Sequence, residues 1–97
     1  GGLYGLFRIG GALFALDIAA IREVTPRPAD LVPFPALRED IVGAIDLRGA
    51  VIPVMDPAAV FGVPLAQGRV ILVVRAGGGV FGMFIDEICD VAALPAG

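Results

Sequence analysis

Apolar residues recur at every second position in a series of short runs, and glycine or proline interrupts each run. Leu3–Ile9 (LYGLFRI) contains such an alternation and stops at Gly10-Gly11, a pair suited to a tight hairpin turn. Ala12–Ile18 (ALFALDI) reads as the returning strand. Ile21–Val24 (IREV) alternates cleanly, which predicts Ile21 and Glu23 on one face and Arg22 and Val24 on the other. Val42–Leu47 and Ala50–Asp56 form a second hairpin around Arg48-Gly49. Arg69–Ala76 and Val80–Asp86 form a third across Gly77-Gly78-Gly79, and Glu87–Leu94 is a last short strand ended by Pro95. Val70–Val74 (VILVV) is apolar without a break, which fits a buried strand.

Helical signals are few. Pro57–Gly62 (PAAVFG) has Asp56 at the N-cap, proline in the first turn and glycine at the end, so it predicts one short helix. Four prolines between Thr25 and Asp40 exclude a regular helix or a central strand there. That connection is expected to hold at most one helical turn, at Ala36–Glu39. Its Leu31, Val32, Phe34 and Leu37 are expected to pack against the body of the protein. Seven or eight short strands with a turn signal every 8 to 12 residues predict an all-β architecture, one small barrel or a pair of them.

A length of 97 residues sets the scale at one domain. Hydrophobic residues make up 58% of the chain and charged ones 18%, so some apolar surface is expected to meet a partner. No apolar run reaches the roughly 18 residues of a membrane-spanning helix, and the N-terminus lacks the pattern of a signal peptide. The net charge of −3, with no lysine and no basic cluster, argues against a nucleic-acid partner. A lone cysteine, Cys89, excludes an internal disulfide framework, fits a reducing compartment and is expected to be an inert packed thiol.

The residues of catalysis are largely missing. There is no histidine and no serine, and the hydroxyl groups are those of Thr25 and Tyr4. Asp86, Glu87 and Asp90 alternate with apolar neighbours instead of forming a cation loop, so they read as solvated strand-end charges and no metal is expected. AGGGVFG (Ala76–Gly82) joins two strands and lacks the lysine of a phosphate-binding loop. Recognition is therefore expected, not reaction.

The run GAIDLRGAVIPVMD, Gly43–Asp56, resembles the Gly–x–(Val/Ile)–Asn–Leu–Arg–Gly–x–(Val/Ile)–(Val/Ile)–Pro–(Val/Ile)–x–Asp segment of CheW-like coupling proteins. FRIGGALFALDIAAIREV (Phe7–Val24) is similar to that family's opening hairpin and the strand after it. RVILVVRAGGGVFGMFIDEICDV (Arg69–Val91) is similar to its later hairpin. The resemblance covers roughly Leu3 to Val91.

It implies an all-β fold: a pair of small SH3-like five-stranded barrels around a shared apolar centre, residues 1–97 forming one domain of two intertwined sub-barrels. It also implies a non-catalytic cytoplasmic adaptor without cofactor. Such an adaptor links the cytoplasmic tip of a methyl-accepting chemoreceptor to the regulatory domain of a CheA-type histidine kinase. Residues of the family matching Ile21, Glu23 and Arg48 are implicated in receptor binding. The kinase contact is assigned to no residue, only to the region where the strands Val51–Asp56 and Val70–Arg75 end.

Two departures stand out. The family asparagine before Leu-Arg is Asp46 here, a negative charge next to Arg48. The family also continues with further strands, so the first barrel is expected to be incomplete unless a partner or a second copy exchanging strands completes it. Alternation places Ile45 and Leu47 inward and Asp46 and Arg48 outward. Arg48 then has two open readings: a donor fork offered to a partner, or a local ion pair with Asp46 or another carboxylate. The alternatives to an adaptor are a regulatory fragment of a larger chemotaxis protein and, less favoured, a nucleic-acid or ligand-binding barrel.

Overall fold

The computed structural model describes residues 2–35 and 38–93. Among them the alternating runs become eight strands: β1 (Leu3–Ile9), β2 (Ala12–Asp17), β3 (Ile21–Pro26), β4 (Ile41–Leu47), β5 (Ala50–Met55), β6 (Val70–Ala76), β7 (Gly79–Ile85) and β8 (Glu87–Ala93). The three expected hairpins form, β1–β2, β4–β5 and β6–β7. A single 3-10 turn, Ile18–Ala20, joins β2 to β3, the Asp17 carboxylate accepting the Ala19 N–H. The one short helix, α1 (Pro57–Phe61), starts at Asp56, whose carboxylate accepts from the Ala58 N–H, and ends at Gly62. Ala36 and Leu37, on which the expected turn at Ala36–Glu39 rests, lie outside the described residues.

The strands form two sheets. One has three strands in the order β2-β1-β8; the other has five, in the order β3-β6-β7-β5-β4. Hairpin logic supplies only antiparallel neighbours, but β5 and β7 pair in parallel, Val54 beside Gly82 and Met55 beside Met83. That junction welds the β4–β5 hairpin to the β6–β7 hairpin. Gly82 is required at it: a Cβ there would stand 2.9 Å from an Ile71 methyl carbon.

The β6 strand is apolar throughout because both of its faces are covered. Leu72 and Val74 join Phe7, Ile9, Met83 and Ile85 in the core between the two sheets. Ile71 and Val73 point the other way, into a second core with Ile45, Ile52, Val54 and Phe84. Continuous hydrophobicity in place of alternation is the signature of such a doubly buried strand.

The five-stranded sheet curls until its two edge strands approach. The chain leaving β3 crosses to β4, where Val32 and Ala44 exchange a pair of backbone hydrogen bonds of 2.7 and 2.8 Å. Leu31 packs into the second core beside this bridge. Among the described residues no closed barrel forms. The three-stranded sheet stays open, as expected of an incomplete first barrel, with β2 and β8 as its edges.

Two expectations about β8 and its approach are corrected. Cys89 is exposed, not packed, because β8 pairs with β1 on one side only and nothing described covers it; Ile88 and Val91 are exposed with it. Asp86 is not a solvated strand-end charge. Its carboxylate accepts four backbone N–H groups, from Gly10, Ala66, Gln67 and Gly68, at 2.5 to 3.0 Å. Its own N–H donates to the Arg8 carbonyl. Burial works to raise the pKa of this carboxyl, but the four donors more than offset it and hold the group well below the ordinary aspartate range. The Asp86 corner thus fastens the β1–β2 turn and the Ala66–Gly68 loop to the point where the chain passes from one sheet to the other.

Candidate protein-docking surface

Arg48 sits at the tip of the β4–β5 hairpin with φ 51°, the one non-glycine residue of the described chain in the left-handed region. With Gly49 at φ 86° it makes the two-residue turn that this hairpin requires. Asparagine or glycine suits the first position of such a turn far better than a long side chain. Asp46 supports the turn by accepting the Gly49 N–H at 2.9 Å. An arginine held in this conformation points to a task for its guanidinium.

That guanidinium reaches across the seam of the curled sheet to Glu23 on β3. The contact is bidentate, Nη1 to Oε2 at 3.3 Å and Nη2 to Oε1 in direct ion-pair contact. The hydrogen bond from Arg48 is the main cause holding the Glu23 pKa below its usual value, and the same bond raises that of Arg48. The side chain of Arg48 is 68% exposed and that of Glu23 26%, so the pair forms a rim that water and a partner can both reach. Of the two readings left open for Arg48, a local pair exists, but its carboxylate is Glu23 and not Asp46. Asp46 has its oxygen on the turn amide.

Ile21 departs from expectation. The register of β3 against β6 shifts between Ile21 and Glu23: Ile21 stands opposite Val74, Glu23 opposite Val73. This β-bulge at Arg22 breaks the alternation, so Ile21 turns to the core between the sheets while Glu23 turns to the seam. Ile21 is half-buried, its Cδ1 lying 2.5 Å from where a Gly5 Cβ would be. Two of the three residues assigned to the receptor contact, Glu23 and Arg48, are therefore brought together; Ile21 lies on the other face.

The strand ends named for a kinase contact each give one residue to a shared groove. Met55 and Arg75 line one nearly apolar groove of about 290 Å³ together with Phe14 and Phe61. The two rings are 5.3 Å apart, and Phe61 is half exposed. The rest of Val70–Arg75 is withdrawn into the two cores. Among the described residues no cluster of ligating side chains suited to a metal ion occurs. No helix among the described residues is long and apolar enough to cross a membrane.

Two sheets around a doubly buried strand, with a charged bidentate clasp displayed at the seam, define a β-module whose surface chemistry suits protein recognition. The chain belongs to the CheW-like domain family, whose model matches residues 4–96. It is 35% identical to the chemotaxis protein CheW of Rhizobium meliloti (strain 1021) over 89 residues, 88% of this chain and 56% of that protein. It is 28% identical to protein PilI of Pseudomonas aeruginosa over 92 residues, 92% of this chain and 51% of that protein. Its fold is similar to the crystal structure of the scaffolding protein TtCheW from Thermoanaerobacter tengcongensis. There the TM-score is 0.80 at 29% identity, over 94% of this chain and 64% of that one. The chain thus spans about half the length of the relatives it matches.

Proposed function

We propose that this module is a non-catalytic coupling adaptor of bacterial chemosensory signalling. It docks the cytoplasmic tip of a chemoreceptor and the regulatory domain of a CheA-type histidine kinase. The observation that carries the receptor half is the Arg48–Glu23 clasp. Arg48 is held in a turn conformation that arginine does not favour, and Glu23 orients its guanidinium while most of the side chain stays in water. Pre-orientation of this kind lowers the ordering cost of a contact, and arginine is enriched among residues that dominate interfaces. Names of relatives, chemotaxis protein and scaffolding protein, favour the same reading.

The test is calorimetric titration of the chain with a chemoreceptor cytoplasmic hairpin fragment and, separately, with a kinase regulatory domain. Both should bind. Arg48→Ala should weaken the receptor fragment roughly tenfold or more and leave the kinase domain bound. Equal affinity of wild type and variant for the receptor would remove the clasp from the site.

A second association is favoured by β8, whose outer edge has no partner strand among the described residues and whose Ile88 and Val91 are exposed. Two copies pairing or exchanging strands there would cover that edge. Sizing chromatography should show a dimer at micromolar concentration; a monomer at every loading sinks this second reading.

A further inference from the structure

The two strand edges that the clasp joins are not zipped together. Below Arg48 and Glu23 the seam opens into a cleft of about 290 Å³. One wall is made by Thr25, Pro26 and Pro28 of the chain running out of β3; the other is Ile45 to Leu47 of β4. Each wall has a consistent chemistry. Pro26 and Pro28 have no amide hydrogen and the Arg27 N–H between them donates to the Arg69 carbonyl, so these prolines offer a ligand no amide donor. Asp30 and Asp46 both line the cleft, and both are exposed. No cation lines it among the described residues. The Arg27 guanidinium, between the two prolines in sequence, lies over the Phe84 ring and donates to the Gly68 carbonyl, and that of Arg48 is engaged by Glu23. The salt bridges of the described chain join Arg8 to Glu87, Arg38 to Asp40 and Arg48 to Glu23, which leaves the Asp30 and Asp46 carboxylates without a cationic partner. Val32 and Leu47 complete the lining with aliphatic surface.

We propose that this cleft receives a lysine or arginine side chain of the receptor partner. Its alkyl stem lies along Val32 and Leu47, and its charge is set between Asp30 and Asp46. Long cationic side chains bury apolar stems and keep their heads at charge in this manner. The sign of the walls excludes an anionic group, and an apolar side chain would leave both carboxylates desolvated without a partner. The proposal rests on the reading of this rim as the receptor-docking surface and adds the chemistry of what enters beside the clasp.

The experiment uses Asp30→Asn, Asp46→Asn and the double variant, titrated with the receptor hairpin fragment at low and at high salt. Asparagine is nearly isosteric and at position 46 keeps an oxygen for the Gly49 amide, so the turn survives; a thermal melt of each variant confirms folding. The double variant should bind about tenfold more weakly at low salt, and the gap should narrow as salt screens the wild-type pair. Alanine replacement of each lysine and arginine of the hairpin tip should then find one that weakens the wild type but not the double variant. If the double variant binds like the wild type with the same salt dependence, no cation enters the cleft. Should Arg48→Ala still weaken binding in that case, the docking rim stands and only the cleft assignment falls. Should Arg48→Ala also bind normally, the rim itself is the wrong surface.

Discussion

The Asp86 corner and the Arg48–Glu23 rim are both built on a carboxylate whose pKa is held down, yet they are made of different material. At the corner the donors are four backbone amides fixed by turns, and the acceptor joins parts of both sheets. At the rim the donor is one flexible side chain, and much of the contact is in water. Backbone donors cannot turn away to another partner, so the corner serves only the fold. A guanidinium at the surface can be shared with an arriving molecule, so the rim is free to serve recognition. The same electrostatic sign thus distinguishes nothing; what the donors are attached to does.

The largest effect expected of this contrast is at Asp86. Asp86→Ala leaves four amides without their acceptor and should lower unfolding stability by roughly 2–4 kcal/mol, read from urea midpoints. Asp86→Asn should fall between it and the wild type. The pH dependence has a definite sign. Because the folded pKa lies below the unfolded one, the stabilisation is fully present above the unfolded carboxyl value of about 4 and is lost as pH falls through that value toward the folded one. Urea midpoints from pH 5 downward should therefore decline more steeply for the wild type than for Asp86→Asn. Parallel curves would mean that the carboxylate does not tie the sheets together.

The same substitution at two glycines sharpens the comparison. Gly10 and Gly49 are both left-handed, at φ 59° and 86°. A Cβ at Gly10 would collide with the Pro64 carbonyl oxygen, whereas at Gly49 nothing lies within 4 Å. Gly49→Ala should cost only the backbone term of about 1–2 kcal/mol, and Gly10→Ala more, since the clash is with main chain that cannot step aside. Equal losses in thermal melts would show that the corner is more pliable than its hydrogen bonds imply.

Smallest of all should be the effect of Arg48→Gly on stability. It gives up an exposed ion pair and relieves a strained turn residue, so the melting temperature should move little while receptor affinity falls. A large drop in melting temperature would make the clasp a structural fastener like Asp86.

Much of this molecule is legible in its sequence. The three hairpins, the short helix with its Asp56 and Gly62 caps and the buried VILVV strand all follow from period, turn residues and capping, which act over a few positions. So does the outward setting of Arg48. What such reasoning misses are the bulge at Arg22, which sends Ile21 and Glu23 to opposite faces, and the parallel β5–β7 contact. It also misses the exposure of Cys89 and the role of Asp86. The bulge has no marker in IREV; the exposure of Cys89 follows from a sheet edge that no residue near it encodes.

By itself, then, the sequence determined which segments are strands and where they turn, because those choices are settled by neighbours along the chain. Tertiary structure alone decided the long-range polar contacts. Arg48 finds Glu23 across 25 positions, and Asp86 finds the Gly10 amide across 76. Contacts at that range depend on how far a sheet curls and where two sheets cross, and those follow from filling two cores at once.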